Sequence, residues 1–445
     1  DTYTVQTTNA LGQWSSKTSD GSGKIVSSSD NGVNMSFTYD SWGNQVTAGS
    51  NGQTFVTNVY DSYGRKQSTT DINAGTITYQ YNSVGQLTQQ TDPKGNIQTM
   101  AYDVFGRTLS TTGTQGTTSY TYYYDPATQR SNDNVTNITG FNGDVRAYAY
   151  DNLQRLQTET ITAAGVSLSK TYTYDARGNL ATTTYPAGFL ISNVYDDNDI
   201  VTQTKYEQGG TIKTLFAATA MNSRGIYTSY NTGNGKTKEV TWDYTKETAT
   251  RYYTAGVQDL NLNYEANTMN LLSRSDGIRN LTETFTYDIN DRLTSAKVNG
   301  VQQFAITYDA GAQGKILQKT DVGNYNYHPN KIHQLQYLTA VDGGADPNTT
   351  IGPNVHTITY TAFLKTETIT ENGYQLTYTY GSDQQRLTST LTQNGNTIEQ
   401  KSYWGNMEGL VKNGNTYEIY YIAAGNGLNN IIVKQNGVIN IYYAY

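Results

Sequence analysis

The 445-residue chain has no cysteine, six prolines, three histidines and four tryptophans. The lack of cysteine excludes disulfides, zinc knuckles, iron–sulfur clusters and thiol nucleophiles together. Scarce proline beside 42 glycines argues against a proline-rich linker and for many turns. Charged residues are only 15% of the chain, below the roughly 25% of an average soluble protein. A net charge of −7 argues against a strongly basic nucleic-acid binder. No apolar run approaches the roughly 18 residues of a membrane-spanning helix; the stretch from Thr214 to Met221 is among the most apolar. At Asp1 there is neither the basic region nor the apolar stretch of a signal peptide, and the chain reads as a piece of a longer one.

What is abundant is tyrosine, with 40 residues against 9 phenylalanines. Many of them recur in a Tyr-Asp pair: Tyr39-Asp40, Tyr60-Asp61, Tyr102-Asp103, Tyr124-Asp125, Tyr150-Asp151, Tyr174-Asp175 and Tyr195-Asp196, with Tyr81-Asn82 filling the missing step. The spacings from 39 to 195 are 21, 21, 21, 22, 26, 24 and 21. The pair returns at Tyr287-Asp288 and Tyr308-Asp309. Degenerate copies at Met221-Asn222, Trp242-Asp243 and Tyr264-Glu265 bridge the gap, so residues 200–280 depart from the consensus. Beyond 308 the register loosens, though Tyr360, Tyr380, Tyr403, Tyr421 and Tyr443 keep a similar beat. A fixed period of this length signals a repeat architecture, here a single array over residues 1–445.

Each unit reads as two strands and two turns. After Tyr-Asp come two variable residues, then glycine, as in Asp40 to Gly43, Asp61 to Gly64 and Asp103 to Gly106. The Asp carboxylate can accept backbone N–H groups two or more residues on, and the glycine can take the left-handed conformation that closes a hairpin. Alternating stretches such as Leu87 to Thr91 follow with the period of two that marks a strand. No helical periodicity of convincing length occurs. The expected fold is all-β, with antiparallel hairpin repeats. Some 40 strands cannot remain an open flat sheet because twist accumulates, so the ribbon is expected to coil into a spiral. Tyr-x-Tyr pairs such as Tyr79/Tyr81 and Tyr172/Tyr174 share a strand face, which predicts ladders of stacked tyrosines.

These motifs resemble the Rhs/YD-repeat family: bacterial Rhs and wall-associated proteins, shell subunits of insecticidal toxin complexes, and animal teneurins. Gly95 to Thr108, containing Tyr102-Asp103-Val-Phe-Gly106-Arg107, matches the family unit except for its final leucine. Tyr174 to Leu180 and Tyr287 to Leu293 are variants, and Tyr380 to Arg386, Tyr403 to Glu408 and Ala424 to Leu428 resemble the last repeats of secreted bacterial members. The resemblance implies a spiral, hollow shell that encloses or presents a C-terminal toxin or partner domain, in a secreted or cell-surface protein. An adhesive or glycan-binding surface module is the alternative. The core segment that follows the repeats in the family has no counterpart up to Tyr445, nor does a toxin domain.

Catalytic motifs fail on their own terms. Gly235-Lys236-Thr237 ends like a phosphate loop, but Tyr230 stands where the first glycine is required. Gly425-Asn-Gly427 begins a dinucleotide fingerprint that Asn430 breaks. His328 and His333 are expected on opposite faces of a strand, unsuited to a shared metal, and His356 is as isolated. The densest acidic stretch, Asp196 to Asp199, offers Asp196, Asn198 and Glu207 to a calcium loop, yet Ile200 and Val201 occupy places that need a ligand and a glycine. Paired aspartates of a glycosidase cannot be read from sequence, but nearly every repeat Asp already has a turn to cap. No catalytic residue, cofactor or metal is therefore expected, and no nucleic-acid partner or membrane span; the Tyr-Asp-x-x-Gly motif is a structural repeat.

Overall fold

A computed structural model describes residues 1–163, 165–309, 314–341 and 356–444. Among them are 40 strands and no helix. By hydrogen bonding, the strands from Thr2 to Thr339 form one 31-stranded sheet and those from His356 to Tyr443 a 9-stranded one. The pairings are antiparallel between strands consecutive in sequence, as in Val33–Tyr39 with Gln45–Ser50 and Gln53–Tyr60 with Lys66–Asp71. This meander is what short turns at regular spacing produce.

Along a strand, half-buried and exposed residues alternate, as in Val33–Tyr39 and Gly75–Tyr81. The repeat tyrosines lie on the half-buried face. The residue before them is often Thr on the exposed face, where its hydroxyl meets a partner on the next strand: Thr38 with Thr47 at 2.6 Å, Thr173 with Thr182 at 2.6 Å, Thr379 with Thr388 at 2.7 Å. That pairing stabilises a water-facing sheet without apolar side chains.

The chain forms two compact units: Asp1–Thr99 with Asp243–Thr250 and Asp259–Gly352, and Met100–Trp242 with Arg251–Gln258 and Pro353–Tyr445. In the first, turns remote in sequence meet through polar groups, as where His333 N donates to Asn73 Oδ1 at 3.0 Å. The second contains a dry core. Phe189, Leu215 and Ile432 are fully buried there, with Ile191, Tyr206, Trp404, Met407, Tyr420 and Ile422 around them. Tyr185 stacks on Phe189 with centroids 4.8 Å apart, and Tyr420 meets Phe189 edge-on at 5.0 Å. Two sequence-distant runs of strands, 161–216 and 404–432, bury this face against each other.

Candidate functional site

The Tyr-Asp-x-x-Gly segment is a five-residue turn with one recurrent geometry. In the turn at Asp61, Asp61 N donates to Arg65 O at 2.9 Å and Gly64 N to Asp61 O at 3.0 Å. Asp61 Oδ1 accepts Tyr63 N and Arg65 N, both at 2.9 Å. The turns at Asp40, Asp103, Asp151, Asp175, Asp196 and Asp288 repeat this pattern. Gly43, Gly64 and Gly106 have φ of 91°, 77° and 87°, the left-handed region that closes such a turn. Register shifts by one residue just before the tyrosine, between Val59 and Tyr60 and between Gln80 and Tyr81, so each turn ends in a bulge.

The tyrosine hydroxyl reaches back one unit. Tyr60 donates to Gln45 O at 2.9 Å, and Gln45 is the strand partner of Tyr39. Tyr39, Tyr150, Tyr174, Tyr195, Tyr287 and Tyr308 likewise donate to Ile25, Val135, Leu156, Leu180, Leu271 and Leu293 carbonyls, at 2.8–3.0 Å. This bond is why the position is tyrosine and not phenylalanine. Burial raises the pKa of the Tyr60, Tyr150, Tyr195 and Tyr308 phenols, keeping them protonated donors.

Arginine after the left-handed residue, which is Gly64, Gly106, Gln154 or Asp291, completes the link. Arg65, Arg107, Arg155 and Arg292 each place Nε 2.7 Å from Oδ2 of their own turn Asp. Their guanidinium groups lie over the rings of Tyr81, Tyr122, Tyr174 and Tyr308, at 4.9, 4.4, 4.4 and 4.4 Å. The expected stack of tyrosine on tyrosine is thus replaced by arginine on tyrosine; no ring–ring contact joins these four among the described residues. Two strands separate successive repeat tyrosines, about 9.6 Å, and a planar cation fills the gap.

Three motif positions differ from their sequence register. At Tyr124-Asp125 the linking tyrosine is Tyr122, whose hydroxyl donates to Thr108 O at 2.8 Å, while Tyr124 is exposed and Asp125 caps a wider turn through Ala127 N and Thr128 Oγ1. The hairpin of Gly116–Asp125 and Arg130–Thr139 is an elongated excursion that shifts the pair by two residues. At Met221, which has no hydroxyl, Tyr227 from the following strand donates to Val201 O at 2.7 Å, and Asn222 caps the turn as Asp would. At Asp309, Oδ1 accepts Lys315 N at 2.7 Å across a longer loop, of which 310–313 lie outside the described residues. Tyr102-Asp103 keeps the standard cap.

His328 and His333 are not on a strand, whereas His356 opens the strand His356–Tyr360. His328 and His333 lie in the connection after Gly323–Tyr327. His328 stands in the Asp place: its Nδ1 accepts Asn330 N and Lys331 N at 3.1 Å, and Tyr327 donates to Ile316 O at 2.9 Å. This is a repeat copy that the sequence pattern conceals. His333 Nδ1 pairs with Asn73 Nδ2, and its ring meets Phe55 edge-on at 6.2 Å. The side chain of His356 lies outside the described residues. Asp196 Oδ1 accepts Asn198 N and Ile200 N, and Asp199 meets Arg177 at 3.0 Å, an ordinary repeat turn. Lys236 belongs to a turn of the same type, opened by Thr232. No group of three or more His, Asp or Glu poised for a metal occurs among the described residues.

Comparison with known proteins agrees with this geometry. Residues 60–97 match the RHS Repeat family model. The tRNA3(Ser)-specific nuclease WapA of Bacillus spizizenii is 26% identical over 222 residues, 49% of this chain and 8% of that protein. Among solved structures, a TcdB2-TccC3 chain superposes over 98% of this chain with a TM-score of 0.79 and 16% identity. The Tc holotoxin pore of Photorhabdus luminescens gives 0.73 and 14% over the same share. This chain spans only about a quarter of those toxin chains, 27% and 26%. The fold is the one they share, and within it residues 60–97, with the Tyr60-Asp61 turn, carry the RHS Repeat.

Proposed function

We propose that the chain is a non-catalytic wall segment of a secreted or cell-surface shell, which encloses or presents a toxin or other partner domain of its parent protein. The observation that supports this reading most is the self-linking turn. Asp, Arg and Tyr of successive units are consumed in holding one another, so the groups that recur most often are structural. Catalysis needs an asymmetric set of groups in a cleft. The likeness of fold to TcdB2-TccC3 points the same way. As a wall, the coiled ribbon would hold its cargo by geometry and exclude proteases.

The test is protease protection in the full-length parent protein. A partner domain that resists digestion while the repeat array is intact, and is digested once the array is opened by Tyr60→Phe and Tyr81→Phe together, supports a wall. Turnover of an ester, glycoside, nucleotide or tRNA by this chain, abolished by one Asp or His substitution, would refute it.

A further inference from the structure

The dry core of the second unit has a polar edge. Glu159 of Leu156–Ala163 and Lys170 of Val166–Tyr174 stand directly opposite each other, one row beyond the pair Ile161 and Leu168 that packs into the core. Lys170 Nζ lies 2.9 Å from Glu159 Oε2, and the Tyr172 hydroxyl donates to the same oxygen at 3.0 Å. Both charged side chains are mostly withdrawn from water, at 12% and 19% exposure. Burial, and then the Glu159 charge, raise the pKa of the Tyr172 phenol, so it stays a donor to that carboxylate.

Asn406 arrives from the opposite run of strands, in the tight turn between Trp404 and Met407. Its amide has one possible orientation. Nδ2 donates to Tyr421 O at 3.0 Å and to Tyr185 Oη at 3.1 Å. The Tyr421 carbonyl can only accept, so Nδ2 faces it and Oδ1 faces Lys170 Nζ, at 3.4 Å. The lysine amine thus stands between a carboxylate and the carbonyl of a side-chain amide 236 positions away.

These three groups suffice to condense an amine with an amide. A deprotonated lysine is a nucleophile, and an amide carbon held beside it is an electrophile that never has to be found by diffusion. Glu159 Oε2 is placed to take a proton from Nζ, and scarce water leaves little competing hydrolysis. Nζ bonds to Asn406 Cγ as the Cγ–Nδ2 bond breaks. Of the three ammonium protons, one goes to Glu159, one goes to Nδ2 and one stays on the new amide. Nδ2 leaves as ammonia and carries off the Glu159 proton as ammonium, so no oxidant, metal or cofactor enters.

We propose that Lys170 and Asn406 join in an intramolecular isopeptide bond, with Glu159 as the proton acceptor. The bond fastens two sequence-distant runs of strands beside the dry core, a covalent closure that a chain without cysteine cannot obtain from a disulfide. It forms once per chain and is independent of the wall function. The competing account is an ordinary Glu159–Lys170 ion pair with a hydrogen bond to Asn406.

Intact-mass spectrometry under denaturing conditions and peptide mapping of the whole chain decide between them. The expected chain is lighter than its sequence by one ammonia, and its digest contains a branched peptide joining Lys170 to Asn406. Ring closure at Asn426-Gly427 would also release ammonia, so the branched peptide is the deciding signal. Lys170→Arg and Glu159→Gln should each keep the full mass. Asn406→Asp should form the same bond with loss of one water, a signature that neither misfolding nor deamidation produces. Free, unlinked Lys170 and Asn406 peptides from a chain that melts cooperatively, or a link undiminished in Glu159→Gln, would overturn the proposal.

Discussion

The guanidinium of Arg65 lies 4.9 Å over the ring of Tyr81, one unit further along the chain, while its Nε stays 2.7 Å from Asp61 in its own turn. Tyr81 in turn donates its hydroxyl to Lys66 O at 2.8 Å. Each unit therefore grips the next at two points, through a cation on a ring and a phenol on a backbone carbonyl. The sheet face that carries these contacts is half-buried, so they are worth more there than on a fully wet surface.

Removing one grip should be measurable. Tyr81→Phe leaves the ring but abandons the Lys66 carbonyl, and should destabilise by about 1 kcal/mol in chemical denaturation. A double-mutant cycle of Arg65→Met with Tyr81→Leu should show a coupling of about 0.5–1 kcal/mol. Strict additivity of the two would contradict the stacking.

The left-handed place of the turn gives a prediction with both signs. Gln154 and Leu364 hold it at φ 63° each. Gln154→Gly and Leu364→Gly should each raise stability, by about 1 kcal/mol less glycine's entropic cost in the unfolded chain. Gly64 has φ 77° and open surroundings: a β-carbon added there would meet only Asn44 Nδ2, at 3.8 Å. Gly64→Val should then lose about 1–2 kcal/mol through backbone strain alone. Melting temperatures that move the other way would refute this account of the turn.

The repeat and its turns are legible in the sequence because Asp and Gly at fixed offsets have few other uses than a capped hairpin. The arginine between tyrosines is not, since strand spacing alone gives ring next to ring and says nothing of what fills the 9.6 Å or so between alternate strands. His328 escapes the pattern for a similar reason. Its imidazole nitrogen does the work of a carboxylate oxygen, an equivalence invisible to a search for Tyr-Asp. Tyr122 is hidden because the pair two residues later fits the consensus better, and only the hydrogen bond to Thr108 identifies the working tyrosine. The contact of Gln13 with the Ile289 carbonyl joins residues 276 positions apart, and no local pattern encodes it.

Acid should loosen the array. At Asp151 the Arg155 backbone N–H, then its side chain, lower the carboxyl below its ordinary value; at Asp40 the Asn44 amide leads. At Asp61 and Asp103 desolvation opposes the shift, and the hydrogen bonds from Arg65 and Arg107 outweigh it. Folded-state values below the unfolded value of about 3.9 mean that the folded state binds these protons less tightly. The stabilisation is whole above about pH 5 and disappears as pH falls through 4 and below. The thermal midpoint should be level from about pH 5 to 8 and drop steeply below about pH 4. A midpoint that rises on acidification would be inconsistent with depressed carboxyls.

The two units should not be equally stable. In the second, Phe189, Leu215, Phe216 and Ile432 are fully buried, and Asn429 donates to Leu215 O at 3.1 Å from within the same dry region. In the first, the buried apolar side chains among the described residues are Ala249, Ala296 and Ile332, small or solitary. Its strands depend more on exposed turn bonds and hydroxyl pairs, which open locally at low cost. Hydrogen exchange should therefore be slowest in Leu190–Tyr195, Thr211–Met221 and Asn415–Ala424, and faster through Val33–Tyr39 and Gly75–Tyr81. Phe189→Ala should cost about 3–5 kcal/mol and remove the protection of the second unit's strands first. Uniform exchange across both units, or a Phe189→Ala chain that melts like the parent, would show that the repeat contacts and not the dry core set the stability of this region.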